Sequence, residues 1–357
     1  MRILITGGAG FIGSNFTRLA LKQGHEAVVL DLLTYAGHEA TLEDVKNSKG
    51  FTFIKGDVAD RETVKGIFEK HKPGAVVHFA AETHVDRSID DPAGFLRTNV
   101  MGTFELMEAA RRQPGLPEGF RFILVSTDEV YGALGPTGAF TEDSPYQPNS
   151  PYSASKAGAD LLARAYHETF KFPVIITNCS NNYGPYQFPE KLIPLMLLNA
   201  MEGKDLPVYG DGGQIRDWLY VEDHCEAILQ VLARGKLGLK YLVGGRSEKT
   251  NLQLLDALLE SLEDLRPAAQ NPAMKARGLA RYGDLKKFVA DRPGHDRRYA
   301  IDPSFTEKAT GWKPRHSFKE ALRATVEWYL AHREWCEKVQ QNNYQRDRLG
   351  LQNKSSV

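Results

Sequence analysis

The opening segment, Met1-Arg2-Ile3-Leu4-Ile5-Thr6-Gly7-Gly8-Ala9-Gly10-Phe11-Ile12-Gly13, constrains this chain more than any other stretch. An apolar run of strand length ends in a cluster of glycines, and helical spacing then runs over Ile12–Gln23. Gly8, Gly10 and Gly13 satisfy G-x-G-x-x-G, while Gly7, Gly10 and Gly13 satisfy the variant spaced by three residues. Such glycines permit a tight turn, a close backbone approach to pyrophosphate and close packing of helix on strand. The helix N-terminus then turns unpaired N–H groups toward the anion. Asp31 closes the next apolar run, 18 residues after Gly13. A carboxylate at that spacing suits a ribose diol and repels a 2′-phosphate, which favours NAD over NADP.

The rest of the first half repeats the same alternation. Apolar runs at Arg2–Thr6, Ala27–Leu30, Phe51–Lys55, Ala75–Phe79, Arg121–Ser126 and Pro173–Thr177 read as strands. Helical patterns lie between them at Glu62–Lys70, Asn99–Arg112 and Tyr152–Phe170. Continuously apolar strands, each followed by a helix, predict a parallel sheet covered on both faces and wound in both directions. The fold class expected is therefore α/β: a doubly wound parallel Rossmann sheet with a smaller C-terminal α/β substrate-binding domain. Residues 1–178 would form the dinucleotide domain, rejoined by parts of 214–245 and by the 318–339 helix. Residues 179–339 would mainly form the second domain, and 340–357 a polar tail. Asp264–Asp284 has little periodicity and reads as an exposed loop or insertion.

Two further patterns carry chemistry. Tyr152-Ser153-Ala154-Ser155-Lys156 places a phenol and an amine on one helix face. A tyrosine near its ordinary pKa of ~10 is a poor base, and an adjacent cation favours its phenolate. Removing hydride from an alcohol requires such a base for the hydroxyl proton. The strand ending at Ser126 runs into Thr127-Asp128-Glu129. Two adjacent carboxyls at the mouth of a dinucleotide crevice are costly unless they are used or solvated. Asp57-Val58, after the third strand, is placed to approach an adenine, although Asp57 alone could equally cap a helix. Ala80-Ala81-Glu82 lies at the carboxyl edge of the fourth strand, where open α/β sheets bind ligands.

Joined to the glycine turn, these motifs resemble the extended branch of the short-chain dehydrogenase/reductase superfamily. Within it, the chain is similar to the dTDP-glucose 4,6-dehydratase family. The resemblance is carried by Asp128-Glu129, by Ala80–Ser88, by Asn178–Pro194 and by Asp291–Tyr299. It implies a dehydration with internally recycled NAD. Tyr152, assisted by Thr127 and Lys156, would take the proton from the 4-hydroxyl of the hexose. Glu129 would act as base at C5 and Asp128 as acid on the departing 6-hydroxyl. The implied cofactor shell is Gly7, Gly10, Phe11, Ile12, Gly13, Asp31, Leu32, Thr34, Asp57, Val58, Ala80, Ala81, Thr98, Asn99, Ser126, Tyr152, Lys156 and Asn182. The implied sugar-nucleotide contacts are His84, Thr127, Asn181, Glu190, Lys191, Leu192, Pro207, Tyr209, Arg216, Asn251, Asp291, Arg292 and His295. Pro207–Tyr209 would pack on the base ring or fill the core of the second domain. The resemblance also implies a homodimer joined through Asn99–Arg112 and Tyr152–Phe170.

Sister activities on the same fold remain alternatives: a UDP- or CDP-glucose 4,6-dehydratase, an epimerase or a decarboxylase. An epimerase or decarboxylase has no need of an elimination pair at C5 and C6. An idle NAD-binding sensor is the reading from a different class. Composition narrows the field further, with 45 Lys+Arg against 45 Asp+Glu in 357 residues. That balance argues against a protein that coats nucleic acid or an anionic membrane. Cys179, Cys225 and Cys336 match no metal spacing, so no metal site is expected. The expected setting is cytoplasmic, since no apolar stretch approaches the ~18–20 residues of a membrane span and no signal h-region is present.

Overall fold

The structure is a computed structural model that describes residues 1–291 and 296–340. Strands β1 (Arg2–Thr6), β2 (Glu26–Asp31), β3 (Phe51–Lys55), β4 (Ala75–His78), β5 (Arg121–Thr127) and β6 (Val174–Cys179) form the sheet expected from sequence. They are followed in chain order by β7 (Asn181–Tyr183), β8 (Leu206–Tyr209), β9 (Ile215–Tyr220) and β10 (Lys240–Val243). The last two are β11 (Glu248–Thr250) and β12 (Lys286–Val289). The main sheet has the order β10-β6-β5-β4-β1-β2-β3, and each neighbouring pair is parallel. Strand order reverses at β1, so the crevice between the carboxyl ends of β1 and β4 is the topological switch point.

Alternation along each strand divides the core. Ile3, Ile5, Val29, Val77 and Ile123 face one side, against Phe16 and Ala20 and the helix Val221–Arg234. Leu4, Val28, Val76, Phe122 and Leu124 face the other, against Phe68, Leu106 and Ala159. The 4–7-residue parallel strands are therefore apolar on both faces, as buried parallel sheets require.

A second core lies outside the sheet. Helix Asn251–Leu265 supplies Leu254, Leu255, Leu258 and Leu259 to it, and helix Leu192–Met201 supplies Met196 and Leu197. Helix Phe318–Ala331 contributes Leu322, Val326 and Tyr329 to this same core and packs on Asn251–Leu265, while the helix that follows, Arg333–Gln340, reaches the sheet-bearing part of the chain, where Trp335 Nε1 donates to the Thr41 hydroxyl at 3.3 Å. Between Asp264 and Asp284 the chain is not an exposed loop. Ala268, Met274 and Tyr282 are fully buried there. Asn271 caps the turn Pro272–Ala276 and also donates to the Met201 carbonyl at 3.0 Å. Each short turn buries one side chain at irregular intervals, which leaves no period to read. A mixed three-stranded sheet, β11-β9-β7, and a parallel two-stranded ribbon, β12-β8, complete this part of the chain. Among the described residues, no helix is long and apolar enough to cross a membrane, and no cluster of His, Cys, Asp and Glu could hold a metal.

One buried group links the sheet to pH. His78 ends β4, with Nδ1 2.6 Å from the Thr6 hydroxyl and Nε2 3.0 Å from the Thr103 hydroxyl. Burial, and then the Lys156 cation, depress its pKa to about 3. The unfolded chain binds this proton below the ordinary value of 6.5 while the folded one does not. Stability must therefore fall with decreasing pH through that window. At pH 5 the expected loss from His78 alone is about 2 kcal/mol. Urea unfolding at pH 7 and pH 5 should show it, and His78→Gln should lose correspondingly less between the two. An equal loss in both proteins would contradict the assignment.

Candidate active site

The turn after β1 is set by contact. Gly7 has φ +70°, and a Cβ there would sit 2.6 Å from the Ala80 nitrogen. A Cβ on Gly13 would sit 2.2 Å from the Gly7 carbonyl oxygen. The helix Phe11–Lys22 is thus drawn against the turn with its N-terminus over the crevice, the geometry that cradles a pyrophosphate. Asp31 lies beside it, with its two oxygens accepting from the Ala9 N–H at 2.9 Å and the Leu33 N–H at 2.8 Å. Burial raises its pKa, and those backbone donors work against the rise. Each oxygen retains acceptor capacity for a diol.

A cavity of about 310 Å³ runs from this turn to the ends of β5 and β6. Gly7, Gly10, Phe11, Ile12, Gly13, Asp31, Leu32, Thr34, Asp57, Val58, Ala80, Ala81, Thr98, Ser126 and Asn182 line it. Asn99 does not. It is buried in the π turn Leu96–Met101, donating to the Glu82 carbonyl and the Ser155 hydroxyl and accepting from the Glu82 N–H. It therefore fixes the loop after β4 to the Tyr152 helix instead of forming the wall.

The chemistry-bearing groups sit at the other end of the cavity. Thr127, Glu129, Tyr152 and Lys156 all line it. Helix Pro151–Phe170 begins with a capping box from Ser150 and Ser153, which fixes the height of Tyr152 above the sheet. Lys156 Nζ donates to the Val125 carbonyl at 2.8 Å, and the Thr127 hydroxyl donates to Asp128 Oδ1 at 3.3 Å. Asp128 lies behind the wall, 2% exposed, with no hydrogen-bond partner for Oδ2 among the described residues. Burial, then Glu129 and Asp217, hold its pKa well above the usual carboxylate range, against the opposing pull of Arg216. Burial also raises the Tyr152 phenol, with Glu129 adding to the rise, while the neighbouring Thr127 hydroxyl works against it. A carboxyl biased toward its neutral form and a cleft-facing carboxyl thus stand side by side, next to a phenol that burial disfavours from ionising.

On the opposite wall are Asn181, Glu190 and Lys191. Glu190 carboxylate oxygens lie 3.9 Å from His84 Nε2, 3.7 Å from Arg87 Nε and 4.0 Å from Lys191 Nζ. Arg87 in turn stacks on the Tyr35 ring at 3.9 Å. Leu192 opens the next helix and packs at the edge of the second core. The structure does not bring the remaining expected contacts to this cavity. Pro207, Tyr209, Asn251 and Asp291 gather instead around the turn 209–214, where Gln214 donates to Asp291 at 2.7 Å and its carbonyl accepts from the Asn251 N–H at 2.9 Å. Arg216 is tied to the Ile215 and Asp296 carbonyls and stacks on the Tyr299 ring at 4.3 Å. Arg292 and His295 lie outside the described residues. Gln187 and Phe188 were missed as wall residues, as was Tyr35 beside the Glu190 cluster. Gln187 and Phe188 belong to the Asn178–Pro194 motif, which was their available signal. Also missed was His224, which bonds Asn182 Oδ1 at 2.9 Å.

Comparison with known proteins gives this geometry a lineage. A family profile described as GDP-mannose 4,6 dehydratase matches residues 4–325. A dTDP-glucose 4,6-dehydratase of Xanthomonas campestris pv. campestris (strain B100) is 51% identical over 352 residues, covering 97% of this chain and 98% of its own. The chain belongs to the dTDP-glucose 4,6-dehydratase family. The Escherichia coli (strain K12) dTDP-glucose 4,6-dehydratase 1 is 48% identical over 360 residues, covering 97% of each chain. A Streptomyces venezuelae dTDP-glucose 4,6-dehydratase solved with NAD superposes with a TM-score of 0.84, at 45% identity over 95% of this chain and all of its own. A Thermus thermophilus UDP-glucose 4-epimerase, also with NAD, superposes at 0.79 with 30% identity, over 93% of this chain and all of its own. The fold is thus common to dehydratases and epimerases.

The close contact at Gly13 makes a direct prediction for this dehydratase fold. Gly13→Ala should destabilise the protein by about 1–3 kcal/mol, because backbone must move to accept the methyl. Gly66→Ala, where a Cβ meets nothing within 4 Å, should not. Equal denaturation midpoints for the two variants would contradict the packing.

Proposed function

We propose that this protein dehydrates dTDP-glucose to the 4-keto-6-deoxy sugar nucleotide with a resident NAD. The observation that carries the reading is Asp128 beside Glu129: a buried carboxyl whose surroundings disfavour its ionisation and a second one open to the cavity. The glycine turn, Asp31 and the wall formed by Thr34, Asp57 and Val58 fit NAD, since a side chain at Gly7 or Gly13 would collide with backbone where the crevice narrows. When bound, NAD accepts hydride from C4 of the hexose and returns it to C6.

The protein's own groups handle the protons. Tyr152, with the Thr127 hydroxyl beside it and supported by the Lys156 cation, takes the proton of the 4-hydroxyl. The ketone so formed acidifies the C5 proton; Glu129 removes it and, once C6 has taken the hydride, returns a proton to C5. Asp128, already protonated, gives its proton to the departing 6-hydroxyl. Two carboxyls in opposite protonation states are what an elimination needs, and an acid whose environment differs from its neighbour's supplies that split. Glu190, Lys191, Asn181 and His84 are assigned to the hexose and phosphates. Pro207, Tyr209, Arg216, Asn251 and Asp291, with Arg292 and His295, are assigned to the nucleotide side. Thymine rather than uracil or cytosine is assigned from the full-length relatives.

Two domains are inferred, one built on the seven-stranded sheet and one on the second core. A homodimer is inferred through the helices Gly102–Arg112 and Pro151–Phe170, around which Leu96, Met101 and Leu161 are exposed. A cytoplasmic setting accords with three buried cysteines that form no disulfide.

Incubation with dTDP-, UDP- and CDP-glucose side by side should give a 4-keto product fastest with dTDP-glucose. In deuterated water Glu129→Gln should abolish deuterium incorporation at C5 while C4 oxidation persists. Unimpaired exchange at C5 would refute the base assignment, and no product from any of the three would refute the activity.

A further inference from the structure

Lys156 poses a problem that the reaction scheme leaves open. Its side chain is 4% exposed, and the hydrogen bond it makes is to a neutral acceptor, the Val125 carbonyl. Burial depresses its proton affinity, which works against the cation that Tyr152 requires. A buried ammonium is sustained by a nearby opposite charge. One turn further along the same helix face is Asp160, fully buried and absent from the reactions assigned above.

Asp160 Oδ2 accepts from the Ser126 hydroxyl at 3.0 Å, from Asn178 Nδ2 at 3.0 Å and from the Tyr146 hydroxyl at 3.4 Å. Asn178 also donates to the Thr127 carbonyl at 3.1 Å, so the network reaches the catalytic strand end. Asp160 Oδ1 has no hydrogen-bond partner among the described residues. We propose that Asp160, one helical turn away and beyond direct ion-pair distance, is the buried charge that compensates Lys156, a positioning residue that keeps the lysine charged and so sets the alkaline limit of the Tyr152–Lys156 pair. Burial raises the Asp160 pKa, and Lys156, Asn178 and Ser126 hold the rise to about 6, below neutral pH. The other groups facing it are Tyr131, Tyr146 and Lys240. Lys240 Nζ lies 5.3 and 5.0 Å from those two ring centres and is only half buried, with Glu142 and Asp143 to offset its charge. Lys156 is thus the fully buried cation among them.

A purely mechanical role is the rival account, since the same hydrogen bonds tie β5 and β6 to the helix. The two accounts differ in sign. Losing a counter-ion lowers the pKa of Lys156, whereas loosening a tie admits water and raises it toward the ordinary lysine value. The enzyme as isolated should be labelled with trace acetic anhydride across pH, with acetylation of Lys156 read by mass spectrometry. Asp160→Asn keeps an acceptor for Ser126 and Asn178, and it should move the labelling midpoint down by about one pH unit. Asp160→Glu should restore it. If Asp160→Asn does not accumulate as folded protein, Asp160→Ser carries the same measurement. A midpoint that stays or rises overturns the proposal. The alkaline limb of dTDP-glucose turnover should fall with the midpoint, and that arm alone rests on the dehydratase reading. A shifted midpoint without turnover by the unaltered enzyme would remove that reading and leave the counter-ion role standing.

Discussion

A carboxyl taken out of water beside a second carboxyl is the constraint on which this active site depends. Asp128 sits at the end of β5, too buried to ionise readily, with Glu129 on one side and Asp217 on the other. The fold tolerates this because a neutral acid is cheaper to bury than an anion. The same circumstance prepares a proton donor before substrate arrives. The Thr127 hydroxyl donates to Asp128 and also lies against the Tyr152 phenol, so the acid for one proton transfer and the base for another share one strand end.

Around that end the sheet distributes charge by depth. Buried cations lie on the strand side, where Lys156 meets the Val125 carbonyl. The opposite wall carries Glu190 within 4.0 Å of His84, Arg87 and Lys191, a mixed cluster suited to a polar and anionic ligand. His78 and His224, both fully buried and held neutral, tie the end of β4 and the middle of β7 without adding charge. The net charge of zero in the sequence is therefore a sum over groups with very different environments.

The parallel sheet was legible because each strand is apolar on both faces and each helix follows at once. Predicted and observed limits agree for Arg2–Thr6 and Phe51–Lys55, and the helix starting at Tyr152 begins one residue earlier, at Pro151. The cavity wall was legible where it is made by motif residues, as at Gly7, Gly10–Gly13, Thr127 and Glu129. Legibility failed where long-range packing decides. Asp264–Asp284 buries Ala268, Met274 and Tyr282 against helices distant in sequence, and no local period announces this. The helix Phe318–Ala331 looks amphipathic from sequence, but amphipathicity does not say which of two cores receives the apolar face. Asn99 illustrates a finer limit, since a polar residue at the right place in a motif turned inward to hold the backbone.

The protonation state of Asp128 is the most direct test of this account. Infrared difference spectra between the unaltered enzyme and Asp128→Asn at neutral pH isolate the signal of that one carboxyl. The account predicts a protonated carboxylic C=O band that disappears in the variant. Loss of an ionised carboxylate band instead would contradict it, because Asp128 would then hold no proton to give to the departing hydroxyl.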